Sequence, residues 1–226
     1  MKNTAIILGA GAGKRFKREI PKQFLLLSGR PIIVHTVEAF QRSPSIDTIL
    51  VVVPKGWVQR CTADLKPYAV HKVEGIITGA ETRQLSCWQA LQYLKDDSPQ
   101  IVVVHDAVRP LVTEEMVKVA VQEGREGMTF GLRAVDTLVE CLDGKIVRVL
   151  PREQIYQIQT PQSFPFRILW DAHLKALEAG IRGASDDAGL VLKAGYKVKI
   201  IAGDPRNAKI TGPVDLELAE RLLQQR

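Results

Sequence analysis

The sequence predicts an α/β fold with a mostly parallel central sheet flanked by helices and a projecting β-arm. Short apolar runs alternate along the chain with segments of helical periodicity, which is typical of this class. Several runs are continuous and rich in Val and Ile, as in strands covered on both faces. The alternation of strands and helices is interrupted at residues 136–159, where short β-like stretches flank an Asp143-Gly144 turn. This segment is predicted to form the arm.

The alternation gives each element an approximate position. Buried strands are predicted at 5–8, 48–53, 73–78, 101–105, 129–134 and 197–202. Helices are predicted near 31–42, 57–66, 82–95, 113–124, 165–179, 186–194 and 213–225. Pro31, Pro165 and Pro213 suit the first turn of a helix, and Thr113 suits an N-cap. We therefore expect a Rossmann-like sheet and treat residues 1–226 as one domain, since no linker or repeat interrupts them.

Composition excludes several classes of protein. The chain is 46% hydrophobic and 25% charged, and no apolar run approaches the roughly 20 residues of a membrane span. The first apolar run is too short for a signal-peptide core, so we expect a cytoplasmic protein. Cys61, Cys87 and Cys141 are scattered, which argues against a disulfide framework, and the four histidines lack metal-ligand spacing.

The charge distribution favours a small phosphorylated ligand. A net charge of +6 suits nucleic acid, an anionic membrane or small phosphates. The basic residues crowd beside a glycine-rich turn, at Lys14, Arg15, Lys17, Arg18 and Lys22. The sequence contains no Lys/Arg tail and no evident basic amphipathic helix, so we expect neither a nucleic-acid nor a membrane partner.

The first strand leads into a run of small residues, Gly9, Ala10, Gly11, Ala12 and Gly13, followed by Lys14 and Arg15. Glycines at this position let backbone N–H groups approach a phosphate closely. The spacing is not the G-x-G-x-x-G of dinucleotide-binding proteins, and Arg15 stands where a Walker A loop needs Ser or Thr. The run fits the triphosphate loop of sugar nucleotidyltransferases, with a plain turn as the alternative.

Two segments together, 11–15 and 21–24, resemble the signature of the 2-C-methyl-D-erythritol 4-phosphate cytidylyltransferase family. Further segments resemble the family's motifs in the same order, at 80–86, 105–110, 135–137, 160–162, 186–188 and 207–211. The resemblance implies that the chain joins CTP to a polyol phosphate and releases pyrophosphate, with Mg²⁺ or another divalent cation.

The residue types agree with that reaction. A phosphate monoester has a second pKa of about 6 and is largely dianionic near neutral pH, so it needs no strong general base. The enzyme must bring two polyanions together and stabilise the transition state, which calls for cations and backbone amides. The resemblance implies that Arg15 and Lys22 contact the triphosphate and that Lys209 neutralises the reacting phosphates, as the catalytic residues.

The resemblance also implies a nucleotide site. Its residues are Gly9, Ala10, Gly11, Ala12, Gly13, Ala80, Arg83, Ser86, Asp106 and Ala107. Ligands of open α/β sheets bind beyond the carboxyl ends of strands, where Asp106 follows a predicted strand. Asp106 is the one candidate metal ligand in the chain. The metal's other ligands stay unassigned, and the phosphates of the substrates are expected to hold it.

The polyol phosphate is assigned to four residues, Arg109, Asp136, Thr137 and Arg152. In the resembling family the arm reaches across a homodimer, which would bring Thr137 and Arg152 to the neighbouring subunit's site. A cation and a hydroxyl suit a phosphomonoester, and Asp136 is expected to orient the substrate hydroxyls. For Arg109 a structural ion pair is an equal alternative.

Several positions depart from the family pattern, at Ala80, Val139, Pro151 and Gly189. Parts of the arm look like ribitol-5-phosphate cytidylyltransferases, whereas 186–188 and 203–207 look like the methylerythritol enzymes, which we favour. A non-catalytic phosphate- or nucleic-acid-binding protein and a nicotinamide oxidoreductase are the alternatives from other classes.

Overall fold

The computed structural model of the chain describes residues 2–11 and 20–225. Its strands are β1 (Asn3–Leu8), β2 (Leu26–Leu27), β3 (Arg30–Pro31), β4 (Thr48–Val53), β5 (Val73–Thr78), β6 (Ile101–Asp106), β7 (Met128–Arg133), β8 (Leu138–Leu142), β9 (Lys145–Leu150), β10 (Tyr156–Pro165) and β11 (Lys199–Ala202). Its α-helices are α1 (Ile32–Arg42), α2 (Val58–Leu65), α3 (Arg83–Tyr93), α4 (Glu114–Glu123), α5 (Phe166–Glu178), α6 (Asp187–Lys193) and α7 (Pro213–Gln224). All six strands and seven helices predicted from the sequence are present; β4 and β5 have the predicted ends, and the other elements differ at one or both ends.

The central sheet of the described residues has seven strands in the order β11-β7-β10-β6-β1-β4-β5. The pairs β6–β1, β1–β4, β4–β5 and β11–β7 are parallel, which confirms the mostly parallel sheet. Leu8 pairs with both Val52 and Asp106, so β1, β4 and β6 end at one edge. The loops that follow these strands therefore meet at that edge.

Helices cover both faces of the sheet, because consecutive residues of a strand point to opposite sides. Ile7, Val51 and Val103 belong to a core shared with α1, α2 and α4. Their neighbours Ile6 and Val52 belong to a second core shared with α3, α5 and α6. Burial on both faces explains the continuous apolar runs of these strands.

Strand β10 corrects the predicted extent of the arm. Tyr156–Gln159 pairs antiparallel with β7, and Gln162–Pro165 pairs antiparallel with β6, so residues 156–159 belong to the central sheet. The prediction that the whole of 136–159 lies outside the sheet is wrong for that part. The hairpin itself is β8 paired with β9, from Leu138–Leu150 to Leu142–Lys145. The strand was not predicted because its buried part is mostly polar, with Gln162 donating to Thr129 Oγ1 at 3.0 Å.

The helix starts follow the local signals. Thr113 Oγ1 accepts a hydrogen bond from Met116 N at 3.2 Å, as predicted for the N-cap of α4. Pro31 and Pro165 directly precede α1 and α5, and Pro213 is the first residue of α7. Among residues 2–11 and 20–225, no helix is long and apolar enough to cross a membrane.

Candidate active site

A cleft opens at the edge of the sheet where β1, β4 and β6 end. It is lined by Leu8, Gly9, Ala10, Gly11, Lys22, Gln23, Ala80, Glu81, Thr82, Arg83, Ser86, Asp106, Val108 and Lys209. Nine of the predicted site residues are in this set, drawn from four distant parts of the chain. The predicted residues Ala12, Gly13 and Arg15 lie outside the described part of the chain.

The floor of the cleft explains the first glycine of the loop. Gly9 N donates to Val52 O at 2.7 Å, and Gln23 Nε2 donates to Gly9 O. A Cβ at position 9 would lie 3.0 Å from Val52 O and 3.1 Å from Ala107 Cβ, so a side chain has no room there. The sequence analysis assigns Gln23 no role of its own, yet its buried amide fixes the glycine-rich loop to the segment that follows.

Ala107 lies under this floor rather than on its surface. Its side chain is fully buried, its N donates to Leu8 O, and its O accepts from Thr36 Oγ1. Both backbone groups are therefore occupied within the fold. Its direct contact with the nucleotide stays a prediction.

Residues 80–86 form the opposite wall of the cleft. Ser86 Oγ accepts from Ala80 N at 3.0 Å and lies 2.8 Å from Thr82 O, to which it donates. Thr82 caps α3 by accepting from Leu85 N at 3.1 Å. A Cβ at Gly79 would collide with the side chains of Ala10 and Ser86, so this glycine lets the two walls approach. The sequence analysis assigns Gly79 no role, although it lies between the end of β5 and Ala80.

Asp106 gathers the cations of the cleft. Its Oδ1 lies 3.6 Å from Arg83 Nε, and its Oδ2 lies 2.9 Å from Lys209 Nζ and 3.3 Å from Arg109 Nε. Burial acts to raise the pKa of Asp106, but the three cations hold it well below its ordinary value of 3.8. Arg83 also pairs with Asp187, so three cations face two carboxylates, and the one positive charge in excess suits a polyanionic ligand.

The two predicted catalytic lysines share one support. Lys22 Nζ donates to Ile210 O at 3.1 Å, next to Lys209 in the chain. Asp215 Oδ2 accepts from Thr211 N at 2.7 Å and from Thr211 Oγ1 at 2.6 Å, fixing this loop to the start of α7. The loop therefore places both lysines at the same side of the cleft.

Arg109 is held within the protein. Its Nε faces Asp106, its Nη1 donates to Asn207 O at 2.8 Å, and it is not among the cleft-lining residues. Asn207 Nδ2 in turn donates to Thr160 O at 2.7 Å, which fixes this loop to β10. These contacts agree with the structural alternative for Arg109; its contact with substrate stays a prediction.

His105 is a structural residue at the end of β6. Its Nε2 lies 3.1 Å from Arg109 O, and its Nδ1 lies 3.0 Å from Thr160 Oγ1. Complete burial lowers the pKa of His105 to about 3, so the ring is neutral near pH 7. A neutral ring with both nitrogens engaged has no proton-transfer role to play in the cleft.

The structure does not bring the predicted arm residues to the cleft of their own subunit. Asp136, Thr137 and Arg152 are exposed, and none is among the cleft-lining residues. Arg152 Nη1 donates to Val135 O at 3.2 Å, and the side chain is 57% exposed. Their part in substrate binding therefore stays a prediction that requires a second subunit.

The cation cluster predicts the acid stability of the fold. We expect Asp106→Asn to lower the free energy of unfolding at pH 7 by about 3 kcal/mol, because the substitution leaves buried cations uncompensated. The depressed pKa of Asp106 contributes stability that is complete above pH 3.8 and is lost as pH falls below it. Urea unfolding of Asp106→Asn from pH 7 to pH 3 should therefore give a flatter curve than wild type.

The control for this measurement is Glu115→Gln, which removes an exposed pair with Lys118 whose atoms lie 3.5 Å apart. Exposed pairs of this kind contribute less than about 1 kcal/mol. Equal stability of Asp106→Asn and Glu115→Gln, with the same acid dependence, would contradict the interpretation of the cluster.

Comparison with known proteins shows to which family the chain belongs. The family model for IspD, 2-C-methyl-D-erythritol 4-phosphate cytidylyltransferase, matches residues 3–225. Relatives of that name from Geotalea uraniireducens and Syntrophus aciditrophicus are 37% and 39% identical, each covering 99% of this chain and 97% of the relative. The crystal structure of 4-diphosphocytidyl-2C-methyl-D-erythritol synthase from Anaerococcus prevotii is 28% identical with a TM-score of 0.85, covering 99% of this chain and 96% of that one. The chain therefore belongs to the 2-C-methyl-D-erythritol 4-phosphate cytidylyltransferase family.

Proposed function

We propose that this chain transfers CMP from CTP to 2-C-methyl-D-erythritol 4-phosphate, giving 4-diphosphocytidyl-2-C-methyl-D-erythritol and pyrophosphate for isoprenoid precursor synthesis. The main observation that supports this proposal is the cleft, where Lys22, Lys209 and Arg83 lie beside the loop that follows β1. Family membership supports the same activity.

The chemistry follows from the charges. The substrate phosphate is already nucleophilic as a dianion, so its oxygen attacks the α-phosphorus of CTP in line and the bond to pyrophosphate breaks. Lys22 and Lys209 offset the charge that collects on the transferring and leaving phosphates. Asp106, ionised at neutral pH, holds Lys209 at 2.9 Å and so fixes its position. Arg15, by family resemblance, adds a further cation at the triphosphate.

A divalent cation, Mg²⁺ by preference, fits this site through the nucleotide rather than through a protein cage. Both carboxylate oxygens of Asp106 face cations, so Asp106 can bind the metal only if one of those cations moves to a substrate phosphate. Mg²⁺ commonly keeps several waters and binds through substrate phosphates, where it neutralises their charge.

Nucleotide choice tests the proposal directly. We expect pyrophosphate release with CTP to exceed release with ATP or GTP by about 100-fold or more, because hydrogen bonds fix the shape of the Ala80–Ser86 turn that lines the cleft. A coupled pyrophosphate assay with each nucleotide measures this. Equal turnover of CTP and ATP would remove the cytidylyl assignment while leaving nucleotidyl transfer in place.

The arm supports the proposal of a homodimer. Leu142, Ile146 and Val149 on the hairpin are each at least 62% exposed, and a two-stranded hairpin alone is only marginally stable. A twofold partner is the commonest way to cover such a surface. The proposal treats residues 1–226 as one domain of a cytoplasmic enzyme, with CTP and the polyol phosphate as partners and neither nucleic acid nor membrane.

The departures from the family pattern fall in different places. Ala80 lines the cleft, Val139 and Pro151 lie on or next to the hairpin, and a Cβ at Gly189 would approach Asp186 Oδ1 to 2.9 Å. Two of the four are therefore on the side assigned to the polyol phosphate. The choice of methylerythritol over ribitol phosphate rests on the family and is tested separately.

A further inference from the structure

Arg83 connects the cleft to two buried side chains behind it, Asp187 and His173; these three residues are called the relay below. Its Nε lies 3.6 Å from Asp106 Oδ1 in the cleft, and its Nη1 lies 2.7 Å from Asp187 Oδ2 on the inner side. The Asp187 carboxylate is fully buried. The orientation of the Arg83 guanidinium therefore depends on how firmly Asp187 is held.

His173, on α5, holds Asp187 from the far side. His173 Nε2 lies 2.9 Å from Asp187 Oδ1, and both side chains are fully buried. His173 Nδ1 has no hydrogen-bond partner among the described residues, so the ring satisfies most groups with its proton on Nε2, donated to Asp187. Gln162 Oε1 accepts from Asp187 N at 2.9 Å and fixes the backbone of the same residue.

A metal does not explain this cluster. Cys87, His173 and Asp187 bring three potential ligand atoms within 4.8 Å of one another. However, the other Asp187 oxygen already pairs with Arg83, whose charge opposes a bound cation. Burial also raises the pKa of Cys87 well above its ordinary value, so the thiol stays neutral.

One donor of the Arg83 guanidinium, Nη2, is buried and has no hydrogen-bond partner among the described residues. A buried donor without a partner costs free energy, so an incoming acceptor oxygen at the cleft would be favoured there. Arg83 lines the cleft within residues 80–86, the segment that the family resemblance assigns to the nucleotide.

We infer that His173 is a positioning residue for CTP: by donating to Asp187 Oδ1, it fixes the carboxylate that aims Arg83 into the cleft. The inference rests on the proposed function for the role of Arg83 toward CTP. It adds a residue of α5, outside the cleft, whose loss should weaken CTP binding without touching the nucleotide.

The test compares His173→Met with His173→Gln, two unbranched side chains of similar size of which only Gln retains an N–H donor. We expect His173→Met to raise the Kd for CTP about tenfold, because a hydrogen bond to a charged group is lost. The KM for the polyol phosphate should change less than about twofold, and His173→Gln should regain most of the CTP affinity. Calorimetric titration with CTP, and thermal melting to establish folding, measure these effects.

Leu169→Val is the matched control, since Leu169 is also fully buried on α5 and makes only apolar contacts with the same core. It should lower the melting temperature and leave the Kd for CTP unchanged. Equal Kd values for His173→Met and His173→Gln, or an equal rise in Leu169→Val, would overturn the inference.

Arg83→Lys separates this inference from the proposed function, because lysine cannot bridge Asp106 and Asp187 as a planar guanidinium does. Weaker CTP binding in Arg83→Lys with normal binding in His173→Met would overturn the role of His173 alone. Unchanged CTP binding in Arg83→Lys would overturn both the assignment of Arg83 and the relay that depends on it.

Discussion

Lys22→Ala should lower turnover about 100-fold or more while the fold survives, because it removes a cation that we propose neutralises the reacting phosphates. Lys22 lines the cleft, and its Nζ is fixed by Ile210 O beside Lys209. The loss should appear in kcat as well as in kcat/KM, since the charge matters most in the transition state. Steady-state pyrophosphate release with CTP and the polyol phosphate measures it.

Lys118→Ala is the matched control, because Lys118 is an exposed lysine of α4 outside the cleft. Its removal should leave turnover unchanged. Near-normal turnover of Lys22→Ala, with an unchanged melting temperature, would mean that Lys22 is only a solvated charge and that the catalytic assignment is wrong.

Arg152→Ala should raise the KM for the polyol phosphate about 10- to 100-fold, the loss expected for one charge-assisted hydrogen bond. CTP binding should stay nearly intact, because Arg152 is exposed beside the arm and does not line the cleft. Titration with CTP and kinetics with the polyol phosphate separate the two effects. Arg148→Ala, which removes an exposed arginine paired with Glu140 on the hairpin, is the control and should change neither value.

Mixing subunits tests whether the arm serves the neighbouring site. In a dimer of one Arg152→Ala and one Lys22→Ala subunit, the arm-exchanged arrangement leaves one site with both wild-type residues. With random exchange, half of the dimers are mixed, so about a quarter of wild-type activity should return. If subunit exchange is demonstrated and no activity returns, both residues serve the same subunit's site.

The sequence predicts the parallel core well because its physical cause is simple. Strands β1, β4 and β6 are buried on both faces, and such burial requires continuous apolar runs. Gly9 directly follows β1 and Asp106 is the last residue of β6, so their meeting at one edge follows from the parallel pairing. Lys22 and Lys209 reach the cleft from segments outside these strands.

The features that were missed depend on packing between distant segments. Strand β10 lacks a recognisable apolar pattern, because most of its buried side chains are polar and obtain their hydrogen-bond partners from other strands. Gly79 matters only because Ala10 and Ser86 lie against it, and no local pattern reveals that contact. His173 occupies a helix position that looks like ordinary core until Asp187 is placed beside it.

The most direct test of the account is product formation from CTP and Mg²⁺ with either 2-C-methyl-D-erythritol 4-phosphate or ribitol 5-phosphate. We expect pyrophosphate and the cytidine diphosphate product in equal amounts with the methylerythritol substrate, at a kcat/KM about 100-fold or more above that for ribitol 5-phosphate. Product identity is established by mass spectrometry, and Lys22→Ala serves as the inactive control. Preferential use of ribitol 5-phosphate, or pyrophosphate release that requires neither polyol phosphate, would contradict the account.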